Sequence, residues 1–218
     1  MPRSVRISKI RGNAGFRRTQ GKKAPRSITL IVCEGETEQL YFEAARVKFE
    51  LTTAEVRLPD NNVGPAPISV VDCAIKKANE QGGYDHIFCV FDRDGHESYE
   101  RARQKIEAHA TRKRNPLPMK EAISVPCFEF WVLLHFETTD SPFANCDQVI
   151  QRIRRAHLPG YTKADAEVIK ALMPRLDTAT TNAALVESGA AVNNFNPFTT
   201  AHHVIEHLRL VAGAASAV

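Results

Sequence analysis

Apolar positions along the chain switch between two textures. Residues 28–33 (ITLIVC) and 86–91 (HIFCVF) are short, almost unbroken runs rich in β-branched and aromatic side chains, the pattern of strands buried on both faces. Residues 54–58 and 120–125 read as two further strands. Between these runs the apolar residues recur at helical spacing. Leu40, Ala44, Val47 and Leu51 form one such stripe, and Ile68, Val71, Ile75 and Ala78 a second, which Gly82 and Gly83 end. Tyr99, Ala102 and Ile106 form a third, and Pro126 is placed to open a helix holding Phe128, Trp131, Val132 and His135. Strands alternating with helices predict parallel βαβ units, hence an α/β fold whose mostly parallel sheet is flanked by helices. Beyond about residue 147 the strand signal ends. Three apolar groups there, at 149–153, 168–172 and 204–211, predict a helical C-terminal part over about 147–218.

Composition narrows the class. The 218 residues are 43% hydrophobic and 25% charged, enough to bury a core, and no run of about 18 apolar residues could span a membrane. Five cysteines in no CxxC pair argue against a disulfide framework and a tetrathiolate zinc site, so a reduced, cytoplasmic protein is expected. Charge is unevenly spread. Residues 1–26 hold nine of the 29 basic residues and no acid, leaving 20 basic against 25 acidic residues, net −5, over residues 27–218. Residues 1–26 therefore read as a flexible basic arm, with too little apolar surface to fold alone, attached to a mildly acidic domain over 27–218. Arg11, Arg17, Arg18, Lys22 and Lys23 are its candidate contacts to nucleic-acid phosphates; the competing reading is a solvated tail.

Candidate chemistry sits where strands end. In open α/β sheets ligands bind beyond the carboxyl ends of the strands, and two of the loops expected there are acidic. One carries Glu34, Glu36 and Glu38, the other Asp92 and Asp94. Glu34 and Glu38 are four apart, able to share one face as a helix begins, and Asp92 and Asp94 are two apart, on one side of an extended segment. If the two strands are neighbours, four carboxylates converge, and a divalent cation is the simplest way to offset their repulsion. Oxygen ligands alone suit Mg²⁺ or Mn²⁺, and a cluster of this size could hold two ions. The competing reading makes the glutamates ordinary first-turn acids and the aspartates turn formers before Gly95.

The motifs resemble a known family. Cys33 to Glu38 (CEGETE) followed by Phe91 to Asp94 (FDRD) is similar to the Toprim domain of topoisomerases, primases and OLD-family nucleases. More narrowly, the chain resembles the RloB-like family, whose pattern adds PxFExWxLxHF, YxK and NPxT stretches. These are matched by Pro126 to Phe136, by Tyr161 to Lys163 and by Asn196 to Thr199. The resemblance spans about residues 27–210 and implies a Toprim-like (Rossmann-like) fold and a restriction-modification or phage-defence (abortive infection) setting. It implies Glu34 for metal binding or proton transfer, and Glu38, Asp92 and Asp94 as metal ligands. It further implies Lys163 as a cation for transition-state charge, and a companion ATPase or restriction-system subunit as partner.

Other residues stay open. His135 lies in an apolar stretch, where a lone histidine is more often a hydrogen-bonded core residue than a site residue. Glu129 in that stretch needs a partner such as His135, an arginine or the metal, because burying it alone is costly. His203 and His207 have the i, i+4 spacing of a zinc pair but no evident third ligand, so they read as helix surface. Three functions fit: a Mg²⁺-dependent nuclease acting on DNA or RNA, a non-catalytic nucleic-acid- or protein-binding regulatory subunit, and another phosphoryl or nucleotidyl transfer. A topoisomerase is disfavoured, since 218 residues cannot hold its gating domains.

Overall fold

The computed structural model of the chain describes residues 27–60, 64–93, 95–191 and 194–216. The basic arm, with Arg11, Arg17, Arg18, Lys22 and Lys23, lies outside the described residues, and so does Asp94.

Five strands form one sheet. They are β1 (Thr29–Cys33), β2 (Ala54–Arg57), β3 (His86–Asp92), β4 (Met119–Val125) and β5 (Phe198–Thr199), in the spatial order β2-β1-β3-β4-β5. The first four are parallel, and β5 runs antiparallel to β4. Helices α1 (Glu36–Lys48), α2 (Pro67–Gln81) and α3 (Tyr99–Ala110) make the crossovers. The C-terminal part adds α4 (Glu129–Leu133), α5 (Cys146–Ala156), α6 (Ala166–Leu172), α7 (Leu176–Gly189) and α8 (Ala201–Ser216). The α/β sheet read from the sequence is therefore present.

Alternation along the strands gives each face of the sheet its own core. Leu30 and Val32 of β1 and Phe91 of β3 pack with Val70, Val71 and Ala74 of α2 and with Ala102 of α3. Ile31 and Cys33 point the other way, into a larger core of Tyr41, Phe42, Trp131, Val149, Ile169 and Leu208. The C-terminal helices thus complete the second face of the sheet.

Several local expectations change. In α1 the buried positions are Thr37, Glu38, Tyr41, Phe42 and Ala45, whereas Val47 is exposed and Leu51 is buried beyond the helix end. The two large aromatic rings, with far more area to hide than Leu40 or Val47, choose the face. Pro126 does not open the fourth helix: it follows a cis peptide bond, and α4 begins three residues later and lasts one turn and a half. β5 carries no strand pattern of its own, because two residues are too few to show one, yet it pairs Thr199 with Ser124. Helix α7, rich in alanine and threonine, also gave no clear stripe. Cys127 and Cys146 are joined by a disulfide, against the expectation of free thiols, because α5 docks its first turn beside the end of β4 with Cα atoms 5.5 Å apart.

His135 belongs to the core. Its Nδ1–H donates to the Trp131 carbonyl at 3.0 Å, its Nε2 accepts from the Tyr41 hydroxyl at 2.9 Å, and burial holds its pKa down at about 4. One ring nitrogen is held by its own turn and the other by α1, so it is a structural residue rather than a ligand. Tyr41→Phe should leave Nε2 buried without a donor and cost about 1–3 kcal/mol of unfolding free energy in urea titrations. The substitution should leave divalent-cation affinity unchanged.

Candidate metal centre at the strand ends

The register of β1 on β3 builds the site. Cys33 pairs with Val90, so the residues just after Cys33 stand beside Asp92. The Glu34 backbone N–H donates to the Val90 carbonyl at 3.0 Å, and the Asp92 N–H donates to Glu34 Oε2 at 3.1 Å. In the order β2-β1-β3-β4-β5 the chain leaves β1 toward one side and enters β3 on the other, so this is the crevice where doubly wound sheets bind ligands.

Glu38 is brought to the same place by α1. Gly35 precedes the helix in an extended conformation, and the Glu38 carboxylate folds back over it. A Cβ on residue 35 would lie 2.9 Å from Glu38 Oε2, so a larger residue there would make this carboxylate shift. Across the cleft, Glu129 enters from the first turn of α4 and is almost wholly buried, as is Glu38. Its Oε2 accepts from Lys163 Nζ at 3.1 Å and lies 3.0 Å from Cys146 Sγ. The partner that burial of Glu129 demands is therefore Lys163, not His135.

Lys163 is held there by its loop. The Ala164 N–H donates to Thr37 Oγ1 at 3.1 Å, and Arg154 donates to the Tyr161 carbonyl at 2.8 Å. Tyr161 is buried, and burial followed by the charge of Glu129 pushes its hydroxyl pKa upward. Lys163, Ala164 and Thr37 line a cleft of about 390 Å³. Its wall includes Glu34, Glu38, Asp92, Glu129, Lys163 and His96, while Glu36 reaches its rim, exposed. His96 was not singled out in the sequence; its Nδ1 accepts from the Ser98 N–H at 3.1 Å.

The electrostatics of the cleft are those of crowded acids. Burial first, then the charges of Glu38, Glu129 and Glu34, lift Asp92 well above the usual carboxylate range, against a hydrogen bond from the Phe128 amide. Burial first, then Glu129 and Glu34, push Glu38 up to about 7, opposed by a backbone hydrogen bond and by Lys163. Among the described residues no Lys or Arg salt bridge reaches Glu38 or Asp92, and Arg93 turns away to donate to the Phe195 carbonyl at 3.0 Å. Of the four carboxylates expected to converge, Glu34, Glu38 and Asp92 line the cleft and Asp94 lies outside the described residues; Lys163 and Glu129 line it as well.

A family model described as RloB-like protein matches residues 29–208. The chain belongs to the RloB-like family. The matched span of this RloB-like chain runs from β1 into α8 and so includes every acid of the cleft and Lys163. No curated protein and no solved structure matches the chain. No helix among the described residues is long and apolar enough to cross a membrane.

Two groups of three side chains among the described residues bring metal-capable atoms within 4.8 Å of one another: Cys127, Glu129 and Cys146, and Glu187, His202 and His203. In the first, the sulfurs are bonded to each other. The second involves His203 but not with the partner its spacing suggested. His207 turns inward, its Nε2 2.8 Å from Thr29 Oγ1 and its ring 4.2 Å from that of His86.

The raised pKa of Glu38 fixes a sign. Its charged form is disfavoured in the folded state, so its stabilising contribution is complete below about pH 4.5, the ordinary value, and is lost as pH rises toward about 7. In metal-free protein the stability difference between wild type and Glu38→Gln should therefore move against the wild type by up to about 3 kcal/mol from pH 5 to 7. Urea unfolding in a chelating buffer measures it, and a difference that is flat with pH would contradict the assigned environment.

Proposed function

We propose that this RloB-like protein is a Mg²⁺- or Mn²⁺-dependent nuclease that hydrolyses phosphodiester bonds in nucleic acid, within a restriction-modification or phage-defence (abortive infection) system. The observation that carries the reading is the meeting of opposite chemistries in one cleft, lined by Glu34, Glu38 and Asp92 and by the Lys163 ammonium. The resemblance of CEGETE and FDRD to Toprim nucleases supports the same division of roles.

The residues fit the ion. Glu34, Glu38 and Asp92 offer only oxygen donors, the choice of Mg²⁺ and Mn²⁺. Burial first, and the neighbouring carboxylates after it, raise Glu38 and Asp92, and a divalent cation would favour their charged forms against both. Asp94 is the further ligand that the motif suggests. When bound, the ion supplies Lewis acidity and a water of lowered pKa. Glu34, positioned by the Asp92 amide, is the carboxylate best placed to hold or pass a proton at the cleft floor. Lys163 meets the anionic diester and offsets charge that builds on its oxygens, while Glu129 and the Thr37 tether keep its ammonium over the cleft. The basic arm adds salt-sensitive contacts to phosphates. A companion ATPase or restriction-system subunit is the expected protein partner.

A cleavage assay with Mg²⁺ or Mn²⁺ on DNA and on RNA tests the reading. Wild type should cut at least one substrate, and Asp92→Asn should lose about 100-fold or more in rate while remaining folded. Cleavage equal in wild type and variant would assign the activity to a contaminant. Binding of nucleic acid without cleavage by folded wild type would turn the reading to a regulatory subunit.

Gly35→Ala probes the cleft geometry. The added Cβ should expel the Glu38 carboxylate and weaken Mg²⁺ affinity by about 10-fold or more, read by calorimetric titration.

A further inference from the structure

Away from the acidic cleft, the end of α7 meets the start of α8 through one carboxylate. Glu187 Oε2 lies 3.0 Å from His202 Nε2 and 3.0 Å from His203 Nε2. The two imidazole rings stand 4.2 Å apart, centroid to centroid. Their three ligand atoms all fall within 4.8 Å of one another. Nothing in the reading of the cleft uses these residues.

We propose that Glu187, His202 and His203 form a binding site for a divalent transition ion of the zinc type, which ties the end of α7 to the start of α8. The donor set selects the ion. Imidazole nitrogens suit Zn²⁺, Co²⁺ or Ni²⁺, whereas Mg²⁺ and Ca²⁺ take oxygen ligands, so this site and the acidic cleft would prefer different metals.

The spacing is close to that of an occupied site. In tetrahedral coordination at about 2.0–2.1 Å, neighbouring ligand atoms lie about 3.3–3.4 Å apart. The nitrogen-to-oxygen separations of 3.0 Å therefore need to open by only ~0.4 Å, within the reach of side-chain torsions. His202 is buried and fixed by packing, while His203 and Glu187 are 45% and 35% exposed, so the ion can enter from solvent on one side. Glu206, one turn along α8, adds a second negative charge near His202. Three protein ligands leave a fourth position for water, on the open side where His203 lines a cavity of about 440 Å³ shared with Arg93, Arg103 and Phe195.

An ion here acts on the fold. It joins two helices across the segment that carries Phe195, whose carbonyl holds Arg93, the neighbour of Asp92. The i, i+4 pair suggested by sequence, His203 with His207, is replaced by adjacent histidines because the N-terminal turn of α8 faces α7 while His207 faces the sheet.

Tag-free full-length protein, stripped with chelator, is titrated with Co²⁺ and followed by visible absorption. Wild type should develop the ligand-field bands of low-coordinate Co²⁺, and Zn²⁺ should abolish them. His203→Ala and Glu187→Gln should each weaken binding by about 10-fold or more, and Asp92→Asn should leave the bands unchanged, which separates this site from the cleft. Zn²⁺ at about 100 times its dissociation constant should raise the wild-type Tm by about 5–10 °C and that of His203→Ala by much less. Absence of the bands in wild type, their survival in both His203→Ala and Glu187→Gln, or their loss in Asp92→Asn would overturn the proposal.

Discussion

Parallel pairing of β1 with β3 is the constraint on which the cleft rests. The seven-residue strand β3 carries Asp92 two positions beyond its last pair with β1, and the amide of Asp92 anchors Glu34 directly. No side-chain preference could bring two acids, 58 positions apart, to this closeness against their repulsion. The backbone ladder does so because its many hydrogen bonds and the apolar residues on both faces outweigh the local cost. Around that pair the rest follows: α1 delivers Glu38 because it starts two residues past β1, and α4 delivers Glu129 from its first turn, three residues past β4.

The electrostatic state of the cleft is a balance between that imposed crowding and one cation. Lys163 compensates Glu129 directly and Glu38 at longer range, while burial first and the neighbouring acids second still raise Glu38 and Asp92. A site of this kind stores a demand for positive charge. Protons meet it at low pH, and under the proposed function a divalent cation would meet it at neutral pH, so that proton and ion binding would be linked.

Much of this was legible in the sequence. The β-branched runs at 28–33 and 86–91 marked β1 and β3, since a strand covered on both faces has no polar positions to blur it. The acids after those runs marked the cleft for the same reason: polar residues at strand ends have no packing role. What escaped notice depends on contacts between distant segments. The role of Gly35 is visible only once Glu38 lies over it, and the hydroxyl of Thr37 has meaning only once residue 164 has docked. The disulfide between Cys127 and Cys146 depends on how α5 sits against β4, which no spacing of cysteines reveals. Helix faces misread in α1 show that periodicity counts residues while burial weighs area, and Tyr41 with Phe42 outweighed four smaller side chains.

The short strand β5 has a consequence for how the molecule meets its own copies. β4 would otherwise end the sheet with an open row of amides and carbonyls; β5 covers the end nearest the cleft, and Pro197 beside it lacks an N–H to offer. At the opposite edge β2 is only four residues long and carries the Glu55–Arg57 ion pair. These features at both borders disfavour self-association through sheet extension.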